Sequence, residues 1–156
     1  MLVYSERKFQ NRFCEDIQEF NKRNESFDWF QEVGNHDSFF RVDITSYGKN
    51  DFEGYELKLK SCKELIRQLE KHYNSKRFTR IYAVLPVGEA EKFKELLGTQ
   101  LNNSIYILSY NLENFDIKII KKGKNLEQNI YRKIELLDLI TRGYHLNGKR
   151  KRTHYK

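Results

Sequence analysis

Three residues of this sequence have the types and spacing for phosphodiester chemistry: Asp43, Glu56 and Lys58. Asp43 stands as a lone acid between apolar neighbours in Arg41-Val42-Asp43-Ile44, and Glu56 and Lys58 are two apart in Gly54-Tyr55-Glu56-Leu57-Lys58. Mg²⁺ or Mn²⁺ is a hard cation that takes carboxylate oxygens together with waters and a substrate phosphate. Two acids on neighbouring strands could hold such an ion and leave coordination positions open, and the ion would lower the pKa of a bound water and neutralise phosphate charge. Residues two apart on a strand share a face. The Lys58 ammonium would then stand beside Glu56, placed to orient the water or to stabilise charge that develops in the transition state.

An acid-x-Lys tripeptide occurs three times, at Glu6-Arg7-Lys8, Glu56-Leu57-Lys58 and Asp116-Ile117-Lys118, about as often as chance gives with 22 acids in the chain. Context separates the three. Glu56-Leu57-Lys58 lies on a predicted strand, follows a strand that carries a lone Asp and precedes a helix. Asp116-Ile117-Lys118 has no comparable Asp strand before it and runs into Lys121-Lys122-Gly123-Lys124, and Glu6-Arg7-Lys8 is helical.

The elements that must position these residues follow from periodicity. Phe9, Phe13, Ile17 and Phe20 form the stripe of a helix over 5–24, with Ser5 as its N-cap. Strands are predicted at 27–33 and 38–46, with a turn at 48–51. Residues 53–60 alternate, Tyr55, Leu57 and Leu59 facing one way and Glu56, Lys58 and Lys60 the other. Ser61 can cap a helix at 62–75 with the stripe Leu65, Ile66, Leu69 and Tyr73, and a strand at 78–85 stops at Pro86. A helix at 88–97, strands at 104–110 and 115–121 and a helix at 125–141 complete the order, the last with the stripe Leu126, Ile130, Ile134, Leu137 and Thr141. This predicts an α/β fold, a mixed central sheet flanked by helices.

In that order the chain resembles the PD-(D/E)XK, or restriction-endonuclease-like, nuclease superfamily over about residues 5–85. Arg41-Val42-Asp43-Ile44 is similar to its Asp strand, with Val42 in place of the proline, and Gly54-Tyr55-Glu56-Leu57-Lys58 is similar to its acid-x-Lys strand. The helix containing Gln68 and the strand 78–85 resemble those of the RecB-like branch; the Gln68-to-Tyr73 spacing is one residue longer than usual, which puts His72 where the Tyr would fall. The resemblance implies a restriction-endonuclease-like αβββαβ core with extra C-terminal strands and a helix. It implies that Asp43 and Glu56 bind the metal, with the Leu57 carbonyl as a further ligand, and that Lys58 activates the water. A first-helix acid often completes such sites. Glu6 lies near the centre of the apolar stripe at 100° per residue and is expected to point inward, and Gln68 to contact the site or a phosphate. Small nucleases of this kind commonly dimerise, which would let both strands be cut.

Composition agrees with a nucleic-acid partner. Of the net charge of +7, six charges fall in the last fifteen residues, on Arg142, Lys149, Arg150, Lys151, Arg152 and Lys156, with no acid among them. A single domain over 1–147 and a basic tail over 148–156 are expected, with Lys149, Arg150, Lys151, Arg152 and Lys60 as phosphate contacts. A chain of 156 residues suits one domain, and a mean hydropathy of −0.82 leaves no membrane span. The polar N-terminus has no secretory h-region. Cys14 and Cys62 form no CxxC pair, and His36, His72, His145 and His154 have no zinc spacing, so the expected location is the reducing cytoplasm. GxGxxG, P-loop and GxSxG motifs are absent. The sequence therefore reads as a Mg²⁺- or Mn²⁺-dependent endonuclease acting on DNA, of a mobile-element, phage or defence type. The alternative is a non-catalytic nucleic-acid-binding module on a nuclease-like fold.

Overall fold

Ser5 opens the first helix: its hydroxyl oxygen accepts the Lys8 backbone N–H at 3.2 Å, which satisfies one of the donors that a helix N-terminus leaves without a partner. The helix α1 (Glu6–Phe20) turns Phe9, Phe13, Cys14 and Ile17 inward. The computed structural model describes residues 5–20, 27–34, 40–48, 50–142 and 152–154. Next come β1 (Asp28–Gly34), β2 (Arg41–Gly48) and β3 (Asp51–Leu57), an antiparallel meander. Helix α2 (Lys63–Ser75) carries the chain back so that β4 (Arg80–Pro86) lies parallel to β3, and α3 (Glu89–Leu97) does the same for β5 (Tyr106–Tyr110). Then β6 (Ile117–Lys121) returns antiparallel, α4 (Ile130–Arg142) follows, and β7 (Arg152–His154) pairs with β1. The sheet order is β6-β5-β4-β3-β2-β1-β7, an α/β fold with a mixed sheet between helices. Of the basic segment 148–156, residues 152–154 form this edge strand; Lys149, Arg150 and Lys151 and the side chain of Arg152 lie outside the described residues. Among the described residues no helix is long and apolar enough to cross a membrane.

Each face of the sheet buries its own cluster. Leu65 and Leu69 of α2, Ala90, Phe93 and Leu97 of α3 and Leu136, Leu139 and Ile140 of α4 pack on one face. Phe9, Phe13, Cys14 and Ile17 of α1 pack on the other, against Trp29, Ile44, Tyr55 and Leu57. Because β3 is central, both of its faces are covered. The half-exposed strand expected at 53–60 is instead buried from Phe52 on and ends at Leu57, where the Lys58 N–H makes a last bond to the Val84 carbonyl at 3.0 Å.

Two other expectations are corrected. Ser61 does not cap α2: Cys62 holds that position without a side-chain bond, and the Ser61 N–H is instead donated to Glu89 Oε1 at 2.9 Å. Helix α4 starts at Ile130, because Asn129 Oδ1 accepts the N–H groups of Tyr131 and Arg132. It is also rotated from the expected stripe. Leu136, Leu139 and Ile140 face the sheet while Ile130 and Ile134 stay 60% and 57% exposed. Arg77 pairs with Glu135 of this helix at 2.6 Å.

Candidate functional site

Strands β2 and β3 pair from Gly48↔Asp51 up to Ile44↔Tyr55 and then part. Beyond that point β2 stays paired to β1 as far as Gly34↔Arg41, and β3 to β4 as far as Leu57↔Val84. Asp43 and Glu56 are the first residues past the fork. A fork leaves backbone groups without ladder partners, and buried ones must be satisfied elsewhere. Asp43 Oδ2 accepts the Leu57 N–H at 3.0 Å, and the Gln10 side chain donates to the Asp43 carbonyl at 3.2 Å.

The alternation of both strands is reset at this level. Phe30 and Val33 are three apart yet enter the same core cluster, whereas Val42 and Ile44 are two apart and enter different ones. Regular pleating would give the reverse in each case. Glu32 lies between Phe30 and Val33 with φ 53°, a left-handed conformation unusual for a side chain of its size. Its carboxylate accepts from Gln10 at 3.2 Å and from Arg41 at 3.4 Å.

The fork opens into a cleft of about 910 Å³ whose lining includes Asp43, Glu56, Lys58, Gln68, His72 and, at its mouth, Glu6. The Asp43 and Glu56 carboxyls are within hydrogen-bonding reach of each other. Burial, with repulsion from Glu56, holds the Asp43 carboxyl well above the usual carboxylate range. Burial likewise pushes Glu56 up to about 7, against the opposing pull of the Asp43 hydrogen bond and the Arg41 and Lys58 charges. Two neighbouring carboxyls raised in this way favour retaining a proton between them. His72, on α2, meets Glu56 with Nε2 2.7 Å from Oε1. Burial pushes His72 down to about 4, so its imidazole is neutral at pH 7.

The other expected residues take up varied positions. Gln68 lies one helical turn before His72, and its buried Oε1 has no hydrogen-bond partner among the described residues. Leu57 reaches the site through its N–H. Glu6 is exposed rather than turned into the core: it is the first residue of α1, ahead of the first packed turn, and lines the cleft from outside. Gln10, one turn further along, takes the buried place. Lys60 is exposed on the loop after β3, outside the cleft lining, with its charge felt by Glu89.

Reasoning from the sequence missed His72, Gln10, Glu32 and Arg41 as members of this site. His72 carried a signal, its i,i+4 spacing from Gln68. Gln10 carried a weaker one, a polar residue flanking the Phe9 and Phe13 stripe. Nothing local marks Glu32, whose backbone conformation is imposed by the strands around it.

The donor set suits a hard divalent cation. Two carboxyls stand side by side, and among the described residues the Gln68 amide oxygen has no donor. Among the described residues no three His, Cys, Asp or Glu side chains gather to hold a metal by themselves, so further positions would fall to waters, to amide or backbone oxygens and to substrate, the usual arrangement for Mg²⁺. The site lies at the C-terminal end of β3, where the sheet changes from parallel to antiparallel, and in open α/β sheets that end of the strands is where ligands bind.

No protein-family model matches the chain, and no curated protein matches it. Its fold is similar to that of a solved structure described as the SPO1766 protein of unknown function from Silicibacter pomeroyi. The TM-score is 0.60 at 14% identity, over 88% of this chain and 85% of that one. At this identity the likeness establishes a shared fold and says nothing of activity.

Proposed function

We propose that this chain is a metal-dependent endonuclease that hydrolyses phosphodiester bonds of DNA, of a mobile-element, phage or defence type, built on a restriction-endonuclease-like αβββαβ core. The observation that carries this reading is the meeting of Asp43, Glu56 and Lys58 in one cleft at a fork in the sheet, with the two carboxyls in hydrogen-bonding reach. Asp43 and Glu56 would hold Mg²⁺ or Mn²⁺, with Gln68, which lines the same cleft, offering a neutral oxygen. When bound, the ion would supply a water of lowered pKa and charge neutralisation at the phosphate. Lys58 would orient the attacking water and stabilise the negative charge gained by the phosphate. Arg41, Lys71 and Arg77 line the same cleft and bring positive charge to the nucleic-acid backbone. The basic segment from Lys149 to Arg152 adds contacts to flanking phosphates.

The alternative is a non-catalytic nucleic-acid-binding module on the same fold. Plasmid nicking separates the two. With Mg²⁺ the protein should nick supercoiled DNA, and Asp43→Ala and Lys58→Ala should each lower the rate at least about a hundredfold. Activity that survives both substitutions refutes the nuclease. A binding module shows no turnover, and its affinity falls steeply with salt and is unchanged by Asp43→Ala.

A further inference from the structure

A carboxylate that holds a cation has two oxygens, and something must decide which one faces the ion. At Glu56 the deciding group is on α2. We propose that His72 is a positioning residue for Glu56: its imidazole ties down Oε1 and so commits Oε2 to the cleft. The assignment rests on the reading of the cleft as a divalent-cation site.

Four observations carry it. His72 Nε2 lies 2.7 Å from Glu56 Oε1, and both side chains are 5% exposed, so water does not compete for the bond. An ionised Glu56 can only accept, so Nε2 bears the hydrogen. The ring is clamped edge-on by Phe78, at 5.3 Å and 88°, and by Phe40, at 6.1 Å and 78°. Phe78 in turn lies on Gly54, where a Cβ would meet its ring at 2.9 Å, so the glycine of the Glu56 strand admits the clamp. His72 touches neither substrate nor reacting atoms in this role; it acts through Glu56.

The test is calorimetric titration of the full chain with Mn²⁺ in the absence of DNA, alongside the Mg²⁺ dependence of plasmid nicking. His72→Phe keeps a ring between Phe40 and Phe78 but has no donor; His72→Gln restores a donor of similar reach. His72→Phe should weaken Mn²⁺ binding by about 10–100-fold and raise the Mg²⁺ needed for half-maximal nicking by a similar factor, while His72→Gln stays within about threefold of the parent. If His72→Phe does not fold by circular dichroism, His72→Asn, too short to reach Oε1, takes its place with the same expected loss. Parent-like Mn²⁺ binding in the donorless variant overturns the role of His72 and leaves the nuclease reading standing. So does a loss in His72→Gln equal to that in His72→Phe. A parent protein that binds Mn²⁺ no better than Asp43→Asn overturns the cation site itself, and this assignment with it.

Discussion

Glu56→Gln removes from the floor of the cleft a carboxyl that burial raises from 4.5 to about 7. At about 1.4 kcal/mol per pH unit, that displacement corresponds to about 3 kcal/mol. The folded protein binds this proton more tightly than the unfolded chain does. The contribution is therefore fully present below about pH 4.5 and is lost as the pH rises through about 7. Urea unfolding in EDTA from pH 4.5 to 8 reads the effect directly. The parent should lose about 3 kcal/mol across that range relative to Glu56→Gln, a relative shift of about 1.5 M in urea midpoint for a slope of about 2 kcal/mol per M. The amide preserves the side-chain volume and can still hydrogen-bond His72, so the comparison reads the loss of the Glu56 charge together with the relief of its repulsion on Asp43. At pH 8, Mg²⁺ at ten times its Kd should return about 1.4 kcal/mol to the parent and far less to the variant. A parent–variant difference that stays flat with pH, or grows in the parent's favour as the pH rises, refutes the reasoning.

Glu53, three residues before Glu56 but among the Tyr55 and Tyr82 side chains, accepts from Ser46, Tyr55, Arg80 and Tyr82. Glu53→Gln, which leaves the Arg80 guanidinium short of its closest partner, should cost about 3–5 kcal/mol and lower the melting temperature by about 10 °C. The cleft chemistry of the folded fraction should not change, as Mg²⁺-dependent nicking would show. In α4, Leu136→Ala should cost about 2–5 kcal/mol and Ile134→Ala less than about 0.5 kcal/mol in urea unfolding; equal costs would mean that the helix is rotated otherwise. Lys76, at φ 58°, closes α2 in a left-handed conformation, and Lys76→Gly should raise stability by about 1 kcal/mol in the same assay.

Legibility in the sequence followed the range of the forces involved. The order of elements could be read because helix and strand periodicities are local: the Phe9, Phe13 and Ile17 stripe is buried as its spacing requires, and Ser5 caps α1 by a bond to Lys8, three residues away. Errors gathered where two stripes competed. In α4 the spacing of Ile130 and Ile134 was as regular as that of Leu136, Leu139 and Ile140, which the tertiary fold buries against the sheet. Residue chemistry likewise marked Asp43, Glu56 and Lys58, but no local signal could show that β2 and β3 part after Ile44 and Tyr55.

Residue types and spacing by themselves determined an α/β chain with acids and a lysine on two successive strands, because side-chain alternation and turn preferences act over a few residues. Tertiary structure alone decided that the two acids meet in one cleft, that His72 rather than solvent takes up one oxygen of Glu56, and that Gln68, lining the same cleft, has an oxygen without a hydrogen-bond partner among the described residues. The physical reason is strand pairing. Each strand at the fork follows its outer neighbour instead of the other, and that choice depends on contacts between segments distant in the chain, which no local pattern encodes.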